Sequence, residues 1–199
     1  MGTLYLVAVP IGNLEDITVR ALRILKSVDR IACEDTRSTG KLLGLLGIGR
    51  RPLMAVHDHN EGERADAVLE LLKAGEDIAL VSDAGTPTIS DPGFKLTRAA
   101  IAAQVVVVPI PGVSAVITAL CASGLPTDDF RFVGFLPKKQ AARRQRMTAL
   151  ATATETLVLY ASPHRLGTVL EDARDIFGAD RPAVIARELT KRFEEFRRG

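Results

Sequence analysis

The sequence is poor in the residues that build cross-links and metal sites: no tryptophan, two cysteines and three histidines in 199 residues. Cys33 and Cys121 lie in apolar contexts (Ile-Ala-Cys and Ala-Leu-Cys-Ala) without CxxC spacing. That excludes a disulfide scaffold and a zinc motif, and both are expected as small buried hydrophobes in a reducing compartment. His57, His59 and His164 form no HxxxH pair, so no metal-ligand set is present in the sequence. An excess of charge of one sign is missing too. Lys and Arg number 26 against 24 Asp and Glu, a net +2. No global field demands a polyanionic partner, and a nucleic-acid contact must rest on a local patch.

The first residues carry neither a basic n-region nor a small-residue cleavage site. They read as a first strand and not as a signal peptide. Between Ala99 and Thr127 there is no charge, but Pro109, Pro111 and Gly112 interrupt the run and Gln104, Ser114 and Thr118 dilute it. A buried helix end, a buried strand at 105–108 and a second buried helix are expected there, not a membrane span.

With 47% hydrophobic and 25% charged residues, the chain has the composition of one large or two small compact domains. Strands are expected at 4–9, 30–34, 78–82, 105–109, 131–134, 156–160 and 183–187. Helices are expected at 17–27, 37–46, 61–74, 93–103, 113–123, 139–151 and 164–177. Several strand runs are continuously apolar (Ile-Ala-Leu-Val, Val-Val-Val-Val), which marks strands covered on both faces in an α/β fold with parallel strands. Gly-Leu-Pro-Thr-Asp-Asp breaks the pattern and puts a domain boundary near 112–128. The stretch 183–199 begins as a strand and runs on into charged residues, which reads as a terminal helix or as a chain cut short.

Three loops carry candidate chemistry. Val9-Pro10-Ile11-Gly12-Asn13 follows the first strand, at the kind of strand end where open α/β sheets bind ligands, but it is no GxGxxG fingerprint. The stretch from Ser82 to Gly93 (SDAGTPTISDPG) is longer and richer in Gly, Pro, Ser, Thr and Asp than a turn needs. It offers backbone N–H groups, hydroxyls and a carboxylate to a small polar ligand. Pro109-Ile110-Pro111-Gly112-Val113-Ser114-Ala115 again follows a strand and leads into a helix, with small residues that let a flat group approach the backbone. Glu34, Asp35 and Arg37 suit acid–base work or a capped helix start, as do His57, Asp58, His59, Asn60 and Glu61. Lys138, Lys139, Arg143, Arg144 and Arg146 place five cations in nine residues without an acid, as phosphate contacts or as a solvated helix face.

Eight ordered motifs, VAVPIGNLEDIT, ACEDTR, HNE, SDAGTPTISDPG, PIPGVSA, GFLP, YASPHR and RELTK, span the chain. Together they resemble the ribosomal RNA 2′-O-methyltransferases of the tetrapyrrole-methylase superfamily. The resemblance implies two α/β domains, 1–115 and 116–199, with S-adenosylmethionine between them and the second domain lacking its end. It also implies a cytoplasmic homodimer that methylates the ribose of cytidine 1402 of 16S rRNA in the small ribosomal subunit. Carried over by position, cofactor contacts fall on Pro10, Ser82, Asp83, Ala84, Ile89, Ser114, Ala115, Ala161 and Leu189. For the chemical step, Asp35 is the first expectation as general base, then Glu34, His59, Glu188 and Lys191, with Arg37 orienting base or substrate. The first loop departs from the superfamily's GxGPGD-type loop, which turns the expectation away from a porphyrin substrate. Methylation of a tetrapyrrole precursor and a non-catalytic RNA-binding module are the alternatives.

Overall fold

The computed structural model describes residues 1–57 and 61–199. Among them the chain divides into two compact units, Met1–Ala115 and Val116–Gly199. The first unit runs β1 (Thr3–Val7), α1 (Val19–Ser27), β2 (Arg30–Cys33), α2 (Thr36–Leu45), β3 (Leu53–Ala55), α3 (Glu61–Lys73), β4 (Ile78–Val81), α4 (Phe94–Ala102) and β5 (Val106–Ile110). Its strands form one sheet of order β3-β2-β4-β1-β5, parallel at every pairing.

The continuous apolar runs of β1 and β4 are explained by this order. Each strand sends successive side chains to opposite faces. Ala79 and Val81 pack with Ala21, Ile24, Leu25 and Val28 of α1 and Leu43 of α2. Ile78 and Leu80 pack on the other face with Val68 and Leu72 of α3 and Leu96 and Ala100 of α4. Both faces are dry, so no polar alternation survives in the sequence. β5 lies at the edge, and there the expected burial fails. Val106 is 61% exposed, as are Ile101 to the same degree and Ile117 to 53%. The uncharged stretch is therefore apolar without being wholly interior. Among the described residues no helix is long and apolar enough to cross a membrane.

The second unit contains α5 (Ala115–Ser123), β6 (Phe130–Phe135), α6 (Gln140–Thr148), β7 (Thr156–Tyr160), α7 (Leu166–Phe177), β8 (Val184–Arg187) and β9 (Glu195–Arg198). β6 and β7 pair in parallel, and Tyr160 packs against the rings of Phe132 and Phe135 with centroids 5.1 and 5.2 Å away. The end of the chain corrects an expectation: 195–198 is not helix but a strand antiparallel to β8. Arg198 anchors it, donating through Nε and Nη2 to the carbonyls of Ser123 and Ala122 at 3.0 and 2.6 Å, the otherwise unpaired end of α5. Cys121 is a second correction, since it is exposed while Cys33 is buried.

The basic cluster on α6 is not one surface patch. Arg143 is buried, and its Nε lies 2.7 Å from Asp172 Oδ2 on α7. Arg144 reaches Asp172 Oδ1 at 2.7 Å and Asp175 at 3.2 Å. These two cations join helices, and the exposed members of the cluster are Lys138, Lys139 and Arg146. Burial alone would raise the Asp172 carboxyl, but hydrogen bonds from Arg144 and Arg143 overcome it and hold it below its ordinary range. A carboxyl depressed on folding stabilises the fold above its unfolded pKa, and that contribution is lost as pH falls through the folded value. Asp172→Ala leaves the buried Arg143 without a carboxylate, with only the Lys138 carbonyl to accept from it, which should cost about 3–5 kcal/mol in urea unfolding at pH 7. The gap between parent and variant should shrink as pH falls below about 4. A variant as stable as the parent at pH 7 would contradict the buried pairing.

Candidate functional site

The carboxyl ends of β4, β1 and β5 lie side by side, and the three loops expected to carry chemistry leave the sheet there. Their backbones are joined directly. Val9 and Gly85 exchange two hydrogen bonds, each 2.9 Å, as an antiparallel bridge beyond the strands. Ala8 N donates to Ile110 O at 3.4 Å, and Thr86 Oγ1 donates to Val113 O at 3.0 Å. Gly112 is required by this closeness, because a Cβ there would lie 2.8 Å from the Cβ of Ala8.

Within this cluster Pro10 and Ser82 are buried, Asp83 and Ala84 are exposed, and Ser114 and Ala115 are half-buried. Ser82 Oγ turns back to the carbonyls of Ala84 and Gly85 at 3.1 and 3.4 Å. It shapes the turn and leaves the outward face to backbone groups. Ile89 is 44% exposed and sits between Thr88 and Ser90, whose φ values of 73° and 62° are left-handed. For a β-branched threonine that conformation is strained, at about 1–2 kcal/mol. Ala161 and Leu189 belong to the second unit: Ala161 follows β7, and Leu189 stands between Glu188 and Thr190, both also left-handed.

The far end of the 82–93 loop is held by a residue read before only as part of a polar cluster. Gly93 starts α4 with φ of +117° and no side chain to cap it. A Cβ there would meet Leu80 Cδ2 at 2.6 Å. Glu61, buried at the start of α3, supplies the missing acceptor. Its Oε1 takes hydrogen bonds from the N–H groups of Gly93, Lys95 and Leu96 at 3.1, 2.6 and 3.2 Å. A carboxylate at a helix N-terminus satisfies orphan donors and complements the helix dipole. The HNE motif was the only signal for it.

The candidate acid–base residues separate. Asp35 caps α2, accepting from Arg37 N at 2.8 Å, and is forked by Arg37 Nε and Nη2 at 3.1 and 2.8 Å. The Arg37 guanidinium, then the Arg37 amide, lower its carboxyl to about 2. Such a carboxylate is a weak proton acceptor at neutral pH, so the structure argues against Asp35 as general base. Glu34 is half-buried at the end of β2. Lys191 pairs with Glu188 at 3.2 Å in the second unit. Asp58, His59 and Asn60 lie outside the described residues.

An open parallel sheet flanked by helices, with ligand-type loops converging at its strand ends, defines the class. The family model of tetrapyrrole (corrin/porphyrin) methylases matches residues 3–199, and the chain belongs to that family. Among its relatives, the protein named ribosomal RNA small subunit methyltransferase I of Pseudomonas aeruginosa is 54% identical over 196 residues, covering 98% of this chain and 69% of the relative. The protein of the same name from Xylella fastidiosa is 55% identical over 193 residues, covering 97% and 70%. The crystal structure of the methyltransferase CobJ covers 100% of this chain and 86% of its own at a TM-score of 0.74 and 21% identity, a likeness of fold.

Replacing Glu61 tests how the loop is held. Glu61→Ala should lower stability by about 2–3 kcal/mol in chemical unfolding, whereas Glu61→Gln, which keeps an oxygen acceptor, should lose about 1 kcal/mol. A Glu61→Ala variant as stable as the parent would mean that the cap contributes nothing.

Proposed function

We propose that this chain is an S-adenosylmethionine-dependent methyltransferase that 2′-O-methylates the ribose of cytidine 1402 in 16S rRNA of the small ribosomal subunit. The observation that carries the reading is more than half identity, over nearly the whole chain, to proteins named ribosomal RNA small subunit methyltransferase I. The loop cluster supports it, because Ala84 and Gly112 are small and exposed beside the joined, buried backbones of Ala8, Val9 and Gly85, which leaves room for a flat, polar ligand. Pro10, Ser82, Asp83, Ala84, Ile89, Ser114 and Ala115 would hold the cofactor at the loops of the first unit, and Ala161 and Leu189 are assigned to it by resemblance alone. When bound, the cofactor supplies a methyl group already activated on a sulfonium.

The chain's own task is then to place a ribose hydroxyl in line and exclude water. Positioning of this kind supplies up to about 7–11 kcal/mol of barrier reduction. Asp35 contributes by holding Arg37, whose side chain is 90% exposed, in a fixed fork that presents a cation to a substrate phosphate. Glu34, half-buried at the same strand end, takes the hydroxyl proton in this scheme. A homodimer and a cytoplasmic location belong to the same reading. The departure of the first loop from the superfamily pattern disfavours a tetrapyrrole substrate.

Incubation with methyl-labelled cofactor and either unmodified small subunits or a tetrapyrrole precursor separates the readings. Label should enter the rRNA alone. Label in the tetrapyrrole would overturn the substrate, and label in neither would leave a binding module. Asp35→Asn should stay within a few-fold of the parent in single-turnover methylation. Ala84→Trp, at an exposed turn, should weaken binding of S-adenosylhomocysteine at least tenfold in calorimetry with the melting temperature unchanged; undiminished affinity would place the cofactor elsewhere.

A further inference from the structure

The helices on one face of the first unit carry a surplus of positive charge. Residues 19–52 carry eight Lys and Arg against three Asp and Glu, whereas 61–104 carry eight acids against four cations. The helices of these two stretches cover opposite faces of the sheet, α1 and α2 on one and α3 and α4 on the other. The helices α1 and α2 thus form a positive layer, with Arg20, Arg23, Lys26, Arg37 and Lys41 and no acid, whereas α3 and α4 balance four acids with four cations; the net charge of the whole chain is only +2.

The positive layer has an organised part. Arg20, Arg23 and Lys26 are all exposed on α1, at three-residue spacing. Such residues are neighbours on a helix surface, and the three span about 9 Å along the axis. Among the described residues none of them has a carboxylate within ion-pair distance, in contrast to Arg143 and Arg144. At the foot of the helix an Arg51 guanidinium nitrogen hydrogen-bonds the Lys26 carbonyl, which adds Arg50 and Arg51 to the same end. At its head, α1 is joined to the first candidate-site loop by the short turn Leu14–Asp16. Unpaired cations held on a rigid element beside the site are uncompensated charge, and long polyanions are attracted to such a surface.

We propose that the exposed face of α1 is a docking rail for the phosphate backbone of the RNA substrate, with Arg20, Arg23 and Lys26 as its contacts. The inference rests on the RNA methyltransferase reading and places the electrostatic grip on the first unit, away from α6. The helices on the opposite face, α3 and α4, carry four acids against four cations and offer no such surplus to a polyanion.

The test compares Arg20→Gln/Arg23→Gln/Lys26→Gln with the control pair Arg64→Gln/Arg98→Gln on the opposite layer. Small-subunit binding is measured against salt, together with steady-state methylation and S-adenosylhomocysteine affinity. The triple variant should bind subunits at least tenfold more weakly at low salt, with the slope of log K against log salt reduced by about 2. KM for subunits should rise while kcat at saturation and S-adenosylhomocysteine affinity stay within a few-fold of the parent, and the control pair should behave as the parent. An unchanged slope, or an equal loss in the control pair, overturns the rail. If the triple variant is unstable, the three single variants replace it, each expected to lower the slope by about 0.7–0.9. Charge-dependent binding to anionic lipid vesicles without any loss on subunits would assign the face to a membrane and overturn the proposal. A parent that binds S-adenosylhomocysteine but neither binds nor methylates subunits would overturn the RNA reading itself, which distinguishes that failure from failure of the rail.

Discussion

The first unit depends on where β1 lies. Placed between β4 and β5 in a sheet buried on both faces, it brings three parallel strands to one edge, and their loops must leave side by side. Backbone groups beyond the last paired residues need partners in a place too crowded for water. Val9 and Gly85 supply them to each other, and Gly112 allows the third loop to close against Ala8. The small side chains of these loops are a consequence of that closeness, and at the exposed Ala84 and Gly112 they leave the rim of the cluster open.

Carboxylates in this protein mostly build. Glu61 ends a helix that has no cap of its own, Asp172 joins two arginines, and Asp35 both caps α2 and clamps Arg37. Paired with arginine, Asp35 and Asp172 are held below the ordinary carboxylate range and are weak bases. The chemistry proposed for the site therefore leans on placement of a substrate, with charge on exposed arginines and lysines doing the long-range attraction.

Much of the fold was legible in the sequence, because α3, β4, α4 and β7 each carry an uninterrupted periodic or apolar signal. β3 has only three residues, all half-buried and preceded by Pro52, too short for any period to show. β9 is written Glu-Phe-Arg-Arg, and its strand character comes from pairing with β8 and from the hold of Arg198 on α5, neither of them local. Arg143 sat in a run of charge that reads as surface, and only the facing Asp172 shows why it is buried. In the site, the Gly, Pro and Ser composition revealed the loops. Their mutual hydrogen bonds, the reach of Glu61 across to α4 and the clamp on Asp35 are long-range or conformational facts that composition does not carry.

In the proposed reaction the methyl group goes to a ribose oxygen of small-subunit RNA. Alkaline hydrolysis of the 16S rRNA, after reaction of unmodified subunits with this protein and S-adenosylmethionine, tests it most directly, because a 2′-O-methyl group removes the nucleophile that cleaves the neighbouring phosphodiester. The proposed reaction leaves a ladder with one missing band, at cytidine 1402, that reappears when the cofactor is omitted. An unbroken ladder from RNA that has nonetheless gained a methyl group would put the modification on a base and contradict the account.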